Sequence, residues 1–374
     1  MAGPSPETTE DRLRILVVRA DRIGDVLLST PVFEVIKRHY SRSRLSVMVR
    51  EPVAPVIRGL ESVDHVIIYD PLGRHKGLRG LLRLTWEIRA RKFRIAVVLQ
   101  SQWRIAMAIF LAGVRYRVGP LSKLYSFMFY NRGIRQRRSH VEMHESDYNL
   151  QLLRRIGIRV GTRNVGTSAH VHEETKLRAR KWLMDQGHDP KTPMVVVHPG
   201  MGHSALNWPE NHYIDFVKAL LRDGRQILVT CGPEETSIAQ RFAEAFADLP
   251  ERANIKKPIV YLADGREQVD FLGALFGFAS VVVAPSTGPL HLAVALGKPV
   301  VTFYSPIRVQ SAIRWGPYLR EPSKASILVP DVYCGEDFKC RGTLCNYFPC
   351  MKSLTVTLAL EETNKQLAQI ETQR

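Results

Sequence analysis

Short apolar runs separated by amphipathic stretches recur along the whole chain. In the first half the runs Ile15–Arg19, Leu45–Arg50, His65–Tyr69 and Ile95–Gln100 predict strands. They are apolar at consecutive rather than alternate positions, the pattern of strands covered on both faces. Between them, Asp25–His39 and Leu78–Arg91 carry apolar residues at helical spacing. The pattern restarts in the second half, with strands predicted at Met194–His198, Gln226–Cys231, Ile259–Leu262, Ser280–Ala284 and Pro299–Tyr304. Strands alternating with helices argue for parallel sheets, so the fold class is α/β. A helix over Glu173–Gln186 runs into Gly187-His188-Asp189-Pro190-Lys191-Thr192-Pro193, a turn-rich linker. The expected domains are therefore 13–187 and 188–374, each Rossmann-like, after a disordered tail at 1–12. A last helix, about Leu358–Gln369, is placed where it can cross back to the first domain.

Charge divides the halves more sharply than hydropathy does. The 374 residues carry a formal net charge of +17. Residues 1–190 hold 34 Lys+Arg against 18 Asp+Glu, and residues 191–374 hold 19 against 18. The excess implies that the first half meets an anionic surface or ligand, although a generally basic chain also accounts for it. Ser101–Arg138 mixes Trp103, Phe110, Phe127 and Tyr130 with Arg104, Arg115, Arg117, Arg132 and further arginines. That mixture suits anionic lipid, and equally a core helix with a basic rim. No apolar run reaches the roughly 18 residues of a membrane span. The polar start lacks the features of a signal peptide, which reads as cytoplasmic. No nucleic-acid motif appears, so nucleic acid is not an expected partner.

Four loops at strand ends could carry chemistry. Arg19-Ala20-Asp21-Arg22-Ile23-Gly24-Asp25 follows the first strand and opens a helix, in the turn that faces the ligand crevice of an open α/β sheet. Its single glycine separates it from the GxGxxG loop of dinucleotide enzymes. Asp25 near a helix start stays ionised and can accept a proton from a sugar hydroxyl, but Asp21 and Asp25 also suit simple capping. His198 to Pro209 follows the first strand of the second half, where Gly200 and Gly202 allow backbone to approach a diphosphate and Ser204 can donate. Ser286, Thr287, Gly288 and His291 sit where a strand hands over to a helix, a seat for phosphate or a plain Ser/Thr cap. Glu234, after Cys231-Gly232-Pro233, is placed to grip a ribose or simply to open a helix. Cys334, Cys340, Cys345 and Cys350 lack the paired CxxC spacing of most zinc sites, and a reducing compartment argues against disulfides.

These residues resemble glycosyltransferase family 9, the heptosyltransferases of the lipopolysaccharide core. The likeness runs from about Ile15 to Val356. It is carried by Arg22-Ile23-Gly24-Asp25 with Pro31, by His198-Pro199-Gly200 through Trp208-Pro209, by Ser286-Thr287-Gly288-Pro289-Leu290-His291-Leu292-Ala293, and by Gly297-Lys298-Pro299. The segment from Cys340-Arg341-Gly342 to Pro349-Cys350-Met351 is similar to a cysteine-rich tail found in many members.

The resemblance implies a GT-B architecture, with two Rossmann-like domains facing a central cleft. It implies inverting transfer with no metal and no cofactor. The catalytic base falls on Asp25, with Arg22 and Gly24 on the acceptor side. Donor binding falls on Gly200, Ser204, Glu234, Ser286, Thr287, Gly288 and His291. The implied donor is a nucleotide sugar, ADP-heptose, and the implied acceptor a phosphorylated glycolipid at the cytoplasmic face of the inner membrane, an anionic surface. The chain departs from the family pattern at Leu206, where a lysine is usual, and at Ser286, where an aspartate is usual. A different donor, or a binding protein without turnover on the same scaffold, are the readings those departures leave open. A dinucleotide oxidoreductase is disfavoured by the missing GxGxxG.

Overall fold

A computed structural model describes residues 12–160, 165–189, 192–202, 205–248, 257–263, 269–334 and 339–372. Residues 1–11 of the expected 1–12 tail lie outside this set. The chain divides into two compact units between His170 and Val171.

The first unit holds a six-stranded sheet, β1 (Arg14–Val18), β2 (Arg44–Val49), β3 (His65–Ile68), β4 (Ile95–Val98), β5 (Tyr116–Pro120) and β6 (Arg132–Ile134). Its order is β3-β2-β1-β4-β5-β6, with every pairing parallel. This is the doubly wound order, with the topological switch point between β1 and β4. Ile15, Leu16, Val17 and Val18 are essentially inaccessible to solvent, which explains why β1 reads as an unbroken apolar run. The helix expected over Asp25–His39 is two helices, Ile23–Leu27 and Thr30–His39. The break has a local cause. Pro31 has no N–H to donate, and the Ser29 hydroxyl bonds back to the Asp25 carbonyl at 2.8 Å.

The second unit repeats the plan with β7 (Met194–Val197), β8 (Gln226–Cys231), β9 (Ile259–Leu262), β10 (Val281–Pro285), β11 (Val300–Phe303) and β12 (Ala325–Leu328). The order β12-β11-β10-β7-β8-β9 is again all parallel, and the switch point lies between β7 and β10. Its core is anchored by Trp208, stacked on Phe303 with ring centroids 4.3 Å apart and edge-on to Tyr213 at 4.8 Å. The indole N–H, fully buried, donates to the Leu354 carbonyl at 2.6 Å.

Two expectations change. The helix Glu173–Asp185 belongs to the second unit rather than closing the first. Trp182 packs edge-on against Tyr261 and Phe271, and the Thr175 hydroxyl bonds Asp270 at 3.0 Å. The last helix, Val356–Thr372, also stays with the second unit, where Ala359 and Leu367 join the core around Trp208.

Candidate functional site

In the first unit, the loop after β1 lies at the switch point, where an open sheet parts its loops to admit a ligand. Arg19, one residue past the strand, is buried with only 2% of its side chain exposed. Burial of a guanidinium is costly unless it is fully paired. Arg19 meets that requirement with three carboxylates. Its Nη2 donates to Asp25 Oδ1 at 2.6 Å, its Nε lies 2.9 Å from Asp21 Oδ2, and its Nη1 donates to Glu145 Oε1 at 3.2 Å. The Asn149 side-chain oxygen also faces Nη1, at 3.4 Å. Arg138 supplies a second cation to Glu145 and donates to the Leu99 carbonyl, beyond β4, at 3.1 Å.

The cluster thus holds two guanidinium groups and three carboxyls. Burial, opposed by Arg19 and reinforced by Asp25, pushes the Asp21 carboxyl up to about 6. A proton on Asp21 balances the cluster's charge. Asp25 keeps 20% of its side chain exposed, so it is oriented by Arg19 and still open to a ligand. Arg50 and Gln102 hold the loop from outside, donating to the Ala20 carbonyl at 2.9 and 3.3 Å.

In the second unit the equivalent position after β7 is His198, also buried. Its N–H donates to Val283 O, fixing it beside β10. Its Nδ1 pairs with the Thr230 hydroxyl at 3.0 Å, and Nε2 lies 3.8 Å from Glu235 Oε2. Burial lowers the His198 pKa, and the Glu235 charge opposes that only in part. Glu235 also accepts the Gly232 N–H at 2.6 Å. It crosses so close to Gly200 that a Cβ there would sit 2.0 Å from the carboxylate. Gly200 is therefore a close-approach glycine. Across the switch point, Thr287 precedes the helix Gly288–Ala295, whose first turn has Pro289 and no side-chain cap. Uncapped N–H groups at a helix start attract an anion. Ser286 hydrogen-bonds the buried Tyr304 hydroxyl, and His291 is buried one turn into the helix.

The structure brings Asp25 and Gly24 into the first cluster, with Arg22 exposed at its rim. It sets Gly200, Ser286, Thr287, Gly288 and His291 around the second switch point. Ser204 lies outside the described residues. Glu234 is exposed, whereas Glu235 turns inward to His198. No sequence motif pointed to Glu145 or Asn149; Arg138 stood out only as the end of the basic segment Ser101–Arg138, Glu235 only as the neighbour of Glu234, and Arg19 and Asp21 only as parts of the loop that carries Asp25. Leu206 is half-buried against the core, and its N–H donates to Gln310 at 3.3 Å. Gly297 adopts φ +73° and stops the helix, while Lys298 donates to the Ala279 carbonyl at 3.1 Å, so that motif is structural.

Cys340, Cys345 and Cys350 are free thiols. Cys350 is buried and its pKa is raised, first by burial and then by Cys334, Cys340 and Cys345 nearby. Among the described residues, no group of three or more His, Cys, Asp or Glu is arranged to hold a metal ion. Also among them, no helix is long and apolar enough to cross a membrane.

Residues 81–347 match the sequence profile of Glycosyltransferase family 9 (heptosyltransferase). A Haemophilus influenzae chain, named provisionally as a glycosyltransferase, is 28% identical over 309 residues, 81% of this chain and 86% of its own. The crystal structure of a family 9 glycosyl transferase from Veillonella parvula matches with a TM-score of 0.82 at 21% identity, covering 97% of this chain and 100% of that one. The structure of Escherichia coli ADP-heptose LPS heptosyltransferase II matches at 0.76 and 20% identity, covering 96% and 100%. At such identities the structures establish the shared GT-B fold. The profile covers well over half the residues, and the chain therefore belongs to glycosyltransferase family 9 and is a glycosyltransferase.

Proposed function

We propose that the chain transfers heptose from ADP-heptose to a hydroxyl of a lipopolysaccharide inner core or related phosphorylated glycolipid, with inversion and without a metal, at the cytoplasmic face of the inner membrane. The observation that carries this reading is Asp25, oriented 2.6 Å from a buried arginine at a switch point yet partly open to solvent. The relative named for ADP-heptose and lipopolysaccharide supports the choice of donor and acceptor.

The step is one displacement. The acceptor oxygen attacks the anomeric carbon opposite the diphosphate, the C–O bond to the nucleoside diphosphate breaks, and the hydroxyl proton passes to Asp25. As Asp25 gains the proton its pairing with Arg19 weakens. Arg19 keeps Asp21 and Glu145, so the buried cation is never left alone. The leaving diphosphate is met by the helix start at Thr287–Gly288 and by His291. The ribose is met by Glu235, or by Glu234 at the rim of the same turn.

Leu206 favours a second reading, in which the same chemistry uses a donor other than ADP-heptose. Calorimetry with a panel of nucleotide sugars separates the two readings. Transfer by Asp25→Ala at the unmutated rate would refute the assignment of the base.

A further inference from the structure

The first unit presents an outward face that the transfer chemistry does not use. The helices Gly77–Ala90, Trp103–Leu111 and Leu124–Phe129 pack side by side. Their inner sides bury Leu81, Leu84, Ile88, Ile105, Ala108 and Ile109 in the core over β1 and β4. Their outer sides are apolar too. Leu78, Leu82 and Trp86, spaced four residues apart, are 72, 58 and 70% exposed. That spacing makes one stripe along the solvent side of the first helix. Trp103, Phe110 and Leu111 continue the exposed surface on the second helix, and Leu124, Phe127 and Met128 on the third. A monomeric surface rarely leaves this much contiguous apolar area open without a use.

Charge identifies the occupant. Residues 71–140 contain sixteen lysines and arginines and a single acid, Glu87. Glu87 is buried and is taken up by Arg74, Arg83 and His75. The face is thus cationic without any exposed acid from this segment. Several arginines lie over the exposed rings: Arg104 over Trp103, Arg117 over Phe110 and Arg135 over Phe127. A second copy would bring like charge onto like charge, and nucleic acid offers nothing to cover Leu78, Leu82 or Leu124.

We propose that this three-helix face docks on an anionic lipid bilayer, with the apolar stripes in the acyl boundary and the basic side chains among the headgroups. The face starts beside the site of transfer. Gln102, which holds the Ala20 carbonyl of the Asp25 loop, directly precedes Trp103, and Arg104 donates to the carbonyls of His75 and Gly77 at 2.7 and 2.6 Å. Docking therefore sets the base at the membrane surface, where a glycolipid presents its sugars. This inference rests on the glycolipid-acceptor reading for its purpose, but its test does not depend on activity.

The full chain is sedimented with vesicles of phosphatidylcholine alone, or with about a quarter phosphatidylglycerol. The expected result is binding to the anionic vesicles only, weakened as salt screens the charge. The double variant Leu82→Ser/Trp86→Ser is expected to bind at least about tenfold more weakly, because it removes apolar area and no charge. Its circular dichroism and its calorimetric affinity for ADP-heptose are expected to match the wild type, which separates lost docking from lost folding or lost donor binding. Equal sedimentation with neutral vesicles, an unchanged double variant, or binding to an RNA oligonucleotide as tight as to the anionic vesicles would each overturn the proposal.

Discussion

Replacing Asp21 by asparagine tests the charge balance around Arg19. The folded protein holds the Asp21 carboxyl at about 6 against an ordinary value of 3.8, mainly through burial. A carboxyl whose pKa is raised on folding favours the native state while protonated. That contribution is complete below pH 3.8 and is lost as pH rises through 6. Each tenfold change in proton affinity is worth about 1.4 kcal/mol, so a rise of this size corresponds to about 3 kcal/mol of stability absent at neutral pH. Asparagine keeps an oxygen to accept the Arg19 Nε–H and carries no charge, so it imitates the protonated acid. Urea unfolding of both proteins, followed through the first unit's transition at a series of pH values, should give similar stabilities near pH 4. The variant should then gain progressively up to about 3 kcal/mol by pH 7 and level off. A difference that stays constant from pH 4 to 8 would refute the argument, because it would mean that the Asp21 charge has no penalty in the fold.

Further expectations follow from the same geometry. Asp25→Asn should reduce transfer by about 10²- to 10⁴-fold, the usual worth of a positioned base, with donor affinity by calorimetry unchanged because donor groups lie in the other unit. Gly200→Ala should weaken nucleotide binding while the first unit's stability stays constant, since a Cβ at 2.0 Å must displace Glu235; unaltered affinity would count against Glu235 as a nucleotide contact. Trp208→Ala should cost about 3–5 kcal/mol in the second unit's unfolding transition through loss of a fully buried ring and its stacking on Phe303. His198 has a folded pKa below 6.5, so its contribution is present above that pH and lost as pH falls through the folded value. The second unit should therefore weaken in mild acid, and His198→Gln should remove that pH dependence.

The fold was legible where burial is two-sided. β1, β4 and β7 each carry four consecutive apolar residues, the pattern of strands covered by helices on both faces. β5 and β6 were not legible. Tyr116–Pro120 and Arg132–Ile134 lie toward the sheet edge, are short, and carry arginine, glycine and proline, none of which signals a strand. The site divides in the same way. Asp25 and the Ser286–His291 turn could be read because they are local to a strand end. Glu145 and Asn149 could not, because they reach Arg19 from 126 and 130 residues away. The sequence pointed to Glu234, whereas its neighbour Glu235 faces inward to His198, because only the turn of the backbone decides which of two neighbours does so. Arg19 and His198 occupy the same place in the two units, one residue beyond the first strand, immediately after an apolar run. A polar side chain there inherits the strand's burial, and a buried polar group must find partners. Partners able to satisfy an arginine or a histidine are carboxylates and hydroxyls drawn from elsewhere in the chain. The polar residue just past the first strand therefore marks where each unit gathers acids from near and far in sequence, Asp21, Asp25 and Glu145 around Arg19 and Glu235 beside His198, and those two residues stand at the two switch points where the ligands are expected.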